Sequence, residues 1–418
     1  MSPIDTFLHR AILRGDLTVT KPGGTTTTYG TPDPRWPSVA ITLHDRRTLI
    51  AIVRDASLGA GEAFMDGRLT IERGGIIDLI DLATANQRFE DGVERMAPGP
   101  LRQLAGRVRQ RLSIANAQRR AKRAIAHHYD LSDRLYDLFL DADRQYSCAY
   151  YTDPANSLDQ AQLDKKAHIA AKLALEPGHK VLDIGCGWGG LALYLHRVSG
   201  ADVTGITLSE EQLKVARERA AAAGVSDHVR FELVDYRALG SRRFDRIVSV
   251  GMLEHVGQRH FATYFRTIRN LLTPDGVALV HTIGRAGEPG FTDTFTDKYI
   301  FPGGYIPALS ELIAANDGLA WYVSDVETLR LHYAFTLREW YDRTVAAKAQ
   351  IVALYDERFY RMWTFYLAGA WASFANGQMV NYQIQFCRDR RALPLTRDYM
   401  IEEERRLRDA FPLRSRPC

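Results

Sequence analysis

Residues 181–190 read VLDIGCGWGG, an apolar run that ends in Asp183 and opens into glycines at 185, 187, 189 and 190. Glycines so spaced let a backbone turn sharply and approach a ligand closely, and the pattern serves two chemistries. A G-x-G-x-x-G fingerprint cradles the pyrophosphate of a dinucleotide, whereas a D-x-G-x-G loop holds S-adenosylmethionine. The next strand separates them. A dinucleotide site places an acidic residue at the end of that strand, about twenty residues on, to bond the ribose hydroxyls. Here the strand ends ITLS and Asp202 stands at its start. Asp183 ahead of the glycines and the bulky Trp188 within the loop favour the methyl donor.

Acid–base candidates follow later strands. Glu254 comes after the apolar run FDRIVSV and His281 ends GVALVH, so both are expected at the carboxyl edge of a parallel sheet, where general acid–base chemistry can reach a bound ligand. A lone strand-end histidine is equally compatible with a satisfied core residue. Cys148, in YSCAYY, has no helix start or basic neighbour visible in sequence to lower its thiol pKa, so a structural role is expected. Ser209 to Gln212 has the spacing of a capping box at a helix start, which by itself accounts for Gln212.

The elements that must position these residues alternate from about residue 165 onward: KKAHIAAKLAL, VLDIGC, LALYLHRV, DVTGITL, EEQLKVARERAAAAG, VRFELVD, FDRIVSV, HFATYFRTIRNLL and GVALVHTIG. Helix–strand alternation of this kind implies an α/β, doubly wound parallel sheet, whose ligands bind beyond the carboxyl ends of the strands. After Gly284 the aromatic-rich segments read as a helical elaboration over that sheet. The first hundred residues read as a small α+β domain. It has strand-like GDLTVT, TTTTYG and PSVAITLHD, then helical RRTLIAIVRDASLGAGEAFMDG and GGIIDLIDLATANQ. The expected division is a small accessory domain over 1–95, a basic helical linker over 96–126 and a catalytic domain over 127–418.

The linker is the one strongly charged stretch. From Arg95 to Tyr129 there is no Asp or Glu, while Arg102, Arg107, Arg109, Arg111, Arg119, Arg120, Lys122 and Arg123 accumulate. Leu101, Leu104, Ala105, Val108 and Leu112 fall at helical spacing. Such a helix suits an anionic membrane surface, and equally a solvated connector docked on its own protein. The overall net charge of +4 is too small to imply nucleic acid. Four dispersed cysteines without C-x-x-C pairs suggest neither a metal site nor a disulfide framework, which fits a reducing cytoplasm. No apolar stretch is long enough to span a bilayer. Any contact with lipid is expected to be peripheral, on the inner face of the membrane.

Taken in order, YSCAYY, VLDIGCGWGGLALYL, VTGITLSEEQ, VSVGMLEHVG, HTIG, KYIFPGGYIP and HYAFTLREWYDR resemble the cyclopropane-fatty-acyl-phospholipid synthase family, and GEAFMDG is similar to the accessory domain of its longer bacterial members. The ordered match begins at HHYDLSDRLYDLFL and runs to about residue 385. The resemblance implies a Rossmann-like class I methyltransferase domain with helical lipid-binding elaborations. It also implies S-adenosylmethionine bound by Tyr146, Ser147, Asp183, Gly185, Gly187, Gly189, Thr207, Leu208 and Gln212, with Tyr236 and Arg237 flanking the adenine. It further implies a bicarbonate ion as the base, held by Cys148, Glu254, His281, Ile283 and Tyr333, with Cys148 and Ile283 contributing backbone groups. Phospholipid membrane as partner and a homodimer are implied as well. Ala370 stands where family members often carry a further cysteine, which excludes a mechanism needing a thiol there.

The implied reaction sets what the site must do. An isolated cis double bond is a weak nucleophile, so attack on a sulfonium methyl requires proximity and a dry pocket. A proton must then leave. Loss from the added methyl closes a three-membered ring, while loss from a chain carbon gives a methyl-branched or methylene alkene, so placement of the base decides the product. Residues alone do not choose between Glu254 and bicarbonate as that base. A branched-lipid methyltransferase is the runner-up and a methyltransferase for a small soluble acceptor the third reading.

Overall fold

The computed structural model describes residues 2–92 and 132–413, so the basic linker expected over 96–126 lies outside the described residues. The chain divides into two compact units. One comprises Met1–Phe139, Phe291–Gly304 and Leu337–Met379; the other comprises Leu140–Gly290, Tyr305–Thr336 and Val380–Cys418. This partition cuts across the linear division at 95 and 126 expected from sequence, because two late segments pack with the amino-terminal elements.

In the first unit, β1 (Asp16–Thr20), β2 (Thr26–Tyr29), β3 (Ser38–Leu43) and β4 (Leu69–Arg73) form a sheet of order β2-β1-β3-β4. The β1–β3 pair is parallel and the outer pairs are antiparallel. Val19, Tyr29, Val39 and Leu43 alternate inward from these strands and bury with Leu82 and Ala63. The single helix expected over RRTLIAIVRDASLGAGEAFMDG is two, Arg46–Arg54 and Ala56–Met65. Asp55 breaks it: its backbone is extended, and its carboxylate accepts from the Leu58 N–H at 3.0 Å, capping the second helix. The first glycine of GEAFMDG serves a close approach. A Cβ at Gly61 would stand 2.4 Å from the Phe295 ring, which in turn packs on Phe365 at 4.6 Å. Asn376 fastens the same unit, donating to Asp81 at 2.8 Å and Thr84 at 2.9 Å.

The second unit holds a seven-stranded sheet. Its members are β5 (Lys180–Ile184), β6 (Asp202–Thr207), β7 (Val229–Leu233), β8 (Phe244–Val250), β9 (Leu272–Arg285), β10 (Tyr322–Leu329) and β11 (Met379–Cys387), in the order β10-β11-β9-β8-β5-β6-β7. From β5 the chain winds one way through β6 and β7 and the other way through β8 and β9, all in parallel. The order therefore reverses beside β5, and the crevice beyond the carboxyl ends of β5 and β8 is the topological switch point. The sheet is mostly parallel, with β10 and β11 antiparallel. These two strands correct the purely helical reading of the carboxyl-terminal third. β11 alternates Val380, Tyr382, Ile384 and Phe386 with Asn381, Gln383 and Gln385, and both sets are buried, so its polar face points into protein instead of solvent.

Candidate active site

The donor loop sits at the switch point. Gly185, Gly187 and Gly189 all take positive φ, at 81°, 52° and 82°, a region closed to most side chains. Gly189 has no room either, since a Cβ there would lie 2.6 Å from the Phe231 ring. Around Gly187, by contrast, an added Cβ would meet nothing within 4 Å, and Gly185 is exposed. The helix Gly190–Ser199 starts directly behind the loop, adding the positive end of its dipole. Asp183 is 1 % exposed, and its Oδ2 is buried without a hydrogen-bond partner. Burial pushes its carboxyl up to about 7, with the Lys165 charge acting in the opposite sense. An orphaned strand-end carboxylate just ahead of a glycine cradle fits a cofactor that brings its own cationic donor, such as the α-ammonium of S-adenosylmethionine.

Thr207, Leu208 and Gln212 follow β6. The Ser209 cap forms, with the Gln212 N–H donating to Oγ at 3.3 Å, but the reciprocal arm of the expected capping box does not. Instead the Thr207 hydroxyl donates to Gln212 Oε1 at 3.0 Å and accepts from the Ser209 N–H at 3.1 Å, which rigidifies the strand end. Leu208 is exposed beside this knot. Tyr236 and Arg237 lie in a short 3₁₀ turn beyond β7. Arg237 is committed to Asp235 through contacts of 2.8 and 2.6 Å, and Tyr236 packs edge-on to Tyr264 at 5.5 Å between centroids.

The Tyr146–Tyr151 segment is fastened from two sides. The Ala149 N–H donates to Thr336 Oγ1 at 3.0 Å and the Tyr151 N–H to His332 Nδ1 at 2.9 Å, so the segment is tied to the helix His332–Ala346 that carries buried Tyr333. Behind it, the helix Leu158–Leu173 contributes Gln162, which donates to the carbonyls of Gln145 and Ser147 at 3.1 and 2.9 Å. Lys165, fully buried on this helix, donates to Gln145 Oε1 and Ser147 Oγ, both at 2.8 Å. Cys148 is buried, its thiol bonded to the Ala149 carbonyl at 3.3 Å and pushed far up by burial. Its side chain packs, with no basic partner bonded to the thiol among the described residues. Cys186 is likewise buried with its thiol raised by burial.

The acid–base pair stands on the other side of the switch. Glu254 lies in a 3₁₀ turn after β8, and Met252 of the same stretch closes on the donor loop: a Cβ at Gly185 would lie 3.3 Å from Met252 Cγ. Glu254 Oε1 accepts from the Ile283 N–H at 2.6 Å, and its Oε2 is buried with no partner. Burial raises its pKa, opposed by that N–H. His281, 1 % exposed, is held neutral, its pKa lowered to about 3 by burial and then by the charges of Lys165 and Lys172. Its ring nitrogens face the amides of Gln383 at 3.1 Å and Asn381 at 3.3 Å. A neutral imidazole accepts from one amide and donates to the carbonyl of the other.

This geometry departs from the bicarbonate cradle that the resemblance implies. The Ile283 N–H is bonded to Glu254, and both nitrogens of His281 are engaged by amides, so neither residue presents a free donor to an anion. Lys165, Gln145, Thr336, Asn381 and Gln383 were not read from sequence as site residues. A lysine pair in a helix resembles a solvated face, and only the tertiary fold buries Lys165 and gives it Gln145 and Ser147 as partners. The polar alternation of β11 was the available signal for Asn381 and Gln383.

A switch-point glycine cradle with an orphaned aspartate, on a sheet of this order, defines a class I S-adenosylmethionine-dependent methyltransferase. The comparison with known families narrows it. Residues 116–384 match the family model described as mycolic acid cyclopropane synthetase, and the chain belongs to that family. Residues 5–90 match a domain of unknown function. Among relatives, a probable fatty acid methyltransferase of Pseudomonas putida is 38 % identical over 375 residues, covering 87 % of this chain and 92 % of its own. The cyclopropane-fatty-acyl-phospholipid synthase of Escherichia coli K12 is 38 % identical over 337 residues, covering 81 % and 85 %. The crystal structure of mycolic acid cyclopropane synthase CmaA1 complexed with SAH and CTAB superposes with a TM-score of 0.60 at 32 % identity, covering 63 % of this chain and 97 % of that one.

Proposed function

We propose that this protein transfers a methylene unit from S-adenosylmethionine to the cis double bond of acyl chains in membrane phospholipids and closes a cyclopropane ring. The observation that carries the proposal is the placement of Glu254: a buried carboxylate with a free oxygen, brought to the donor loop by the Met252–Gly185 contact. The likeness to the Escherichia coli synthase supports the substrate class. When bound, the cofactor supplies an electrophilic methyl group on sulfur. The carbon–carbon bond to one alkene carbon forms as the sulfur–methyl bond breaks, leaving positive charge on the other alkene carbon. Within this protein, Glu254 is the group built to stabilise that charge and to take the proton from the added methyl as the ring closes. The Ile283 N–H holds one oxygen still, and the other is left for the proton. His281, neutral and held by two amides, positions the strand end that carries Ile283. With the Ile283 N–H taken by Glu254, no step is assigned to a bicarbonate ion.

Three aromatic residues of the carboxyl-terminal third that could line an acyl path, Tyr305, Phe335 and Trp371, fall in different units. Tyr305 is buried and donates to Glu311 at 2.6 Å, and Phe335 packs edge-on to Tyr151 at 5.5 Å, both within the second unit. Trp371 belongs to the first. Membrane contact remains a part of the proposal that rests on the basic linker. Among the described residues no helix is long and apolar enough to cross a membrane.

The deciding experiment incubates the protein with S-adenosylmethionine and liposomes containing cis-monounsaturated phospholipids, then reads the acyl chains by proton NMR. Upfield ring protons appearing as vinyl protons vanish are the expected result. Methyl or methylene signals with a retained alkene would establish the second reading, a branched-lipid methyltransferase, which the name of the Pseudomonas putida relative favours. No lipid product would return the search to soluble acceptors.

A further inference from the structure

A fully buried lysine that touches the donor segment has no role in the chemistry described above. Lys165 spends two of its N–H bonds on Gln145 Oε1 and Ser147 Oγ, and no third protein acceptor is present among the described residues. Its charge acts on Asp183 and on Cys148, so it stands behind both the strand-end carboxylate and the Tyr146–Ser147 segment. The consequence for Ser147 is geometric. A hydroxyl whose oxygen accepts from an ammonium must direct its own proton elsewhere, and Ser147 Oγ has no acceptor of its own among the described residues. Ser147 is thereby turned into a donor backed by the Lys165 ammonium, whose charge also reaches Asp183, an aspartate with an unpaired buried oxygen.

A donor backed by a cation on one side and an orphaned carboxylate on the other match a zwitterion. The amino-acid end of S-adenosylmethionine is one, with an α-carboxylate and an α-ammonium on a single carbon. We propose that Lys165 is a positioning residue for that end of the cofactor, orienting the Ser147 hydroxyl and supplying the charge toward the α-carboxylate while Asp183 takes the α-ammonium. The inference rests on the methyl-donor site and on nothing about the acyl acceptor. Three lysines, Lys165, Lys166 and Lys172, are buried on this helix; Lys166 pairs with Asp143 at 2.6 Å and Lys172 with Glu327, whereas Lys165 has no carboxylate bonded to it.

The test uses two ligands that share the adenosine and thioether but differ in the amino acid. S-adenosylhomocysteine carries the zwitterion and 5′-methylthioadenosine lacks it. Titration calorimetry on Lys165→Met should show S-adenosylhomocysteine affinity falling by about tenfold or more, the size of a lost charge-assisted hydrogen bond, with methylthioadenosine affinity unchanged. Lys165→Arg, which keeps the charge, should recover part of the loss. Equal weakening of both ligands would show that Lys165 merely holds the segment in place, and unchanged S-adenosylhomocysteine binding would remove it from the site; either overturns the inference. If the methionine variant does not fold, Lys165→Gln, which keeps a donor toward Ser147 without the charge, carries the same comparison. Wild-type protein that bound neither ligand would overturn the methyl-donor reading itself.

Discussion

Asp183 sets binding against folding. Its carboxyl, ordinarily near 3.8, is pushed up to about 7 by burial. Between those values the unfolded chain is ionised and the folded one protonated, so folding stability falls as pH rises through this window and levels off above pH 7. The cost, on the order of 4 kcal/mol at most, is carried by the empty site and relieved when a cationic group arrives. Asp183→Asn should therefore raise the melting temperature of the ligand-free protein above pH 7 while reducing the further rise produced by S-adenosylhomocysteine. A variant no more stable than wild type at that pH would remove the strain argument. Glu254 is raised in the same direction, and as a base it must be ionised, so turnover should fall on acidification at a higher pH than an ordinary glutamate would give. Glu254→Gln should abolish turnover and leave S-adenosylhomocysteine affinity nearly intact. If wild-type turnover slows reversibly when dissolved carbon dioxide is exhaustively removed, the ion enters the site and Glu254 orients it; constant turnover leaves the proton with Glu254.

Elements convert these residues into a site. The loop between β5 and the helix Gly190–Ser199 works because three glycines accept left-handed backbone, but they are not equivalent. Gly189→Ala adds a Cβ 2.6 Å from Phe231 and should abolish S-adenosylhomocysteine binding. Gly178, at φ 79° with nothing within 4 Å, tests backbone strain alone. Gly178→Ala should cost about 1 kcal/mol of stability, read by denaturant melting, with binding unchanged. Loss of binding in both variants alike would mean that loop conformation does not control the site. The helix Leu158–Leu173 is the less expected element, since a charged segment is here buried over nearly its whole length. Its lysines are tolerated because each meets polar partners: Gln145 and Ser147, Asp143, or the Glu327 and Asp325 carboxylates of β10.

For the molecule as a whole, the two compact units interleave along the chain, and the basic segment falls in the stretch outside the described residues. Its proposed role is electrostatic. An acyl chain already in a bilayer gains little by entering another apolar environment, so headgroup and surface attraction must supply much of the encounter. Replacing Arg107, Arg109 and Arg111 with glutamine should weaken sedimentation with anionic liposomes, most strongly at low salt, because the Debye length shrinks as salt is added. Binding insensitive to both the substitutions and the salt would leave the segment as a connector between elements.

The spacing of Asp183, Gly185, Gly187 and Gly189, the strand end at Thr207 and the α/β alternation were legible in the amino-acid sequence, whereas β9 runs four residues past His281, to Arg285, instead of ending there. Each legible feature depends on neighbours a few residues apart, where backbone geometry and hydrophobic period act directly. Tertiary structure alone decided what those residues meet. It paired the Ile283 N–H with Glu254, gave His281 two amide partners from β11, moved 291–304 and 337–379 into the amino-terminal unit, and buried Lys165 behind Ser147. Those outcomes depend on residues tens to hundreds of positions apart, and on desolvation, which no local spacing encodes.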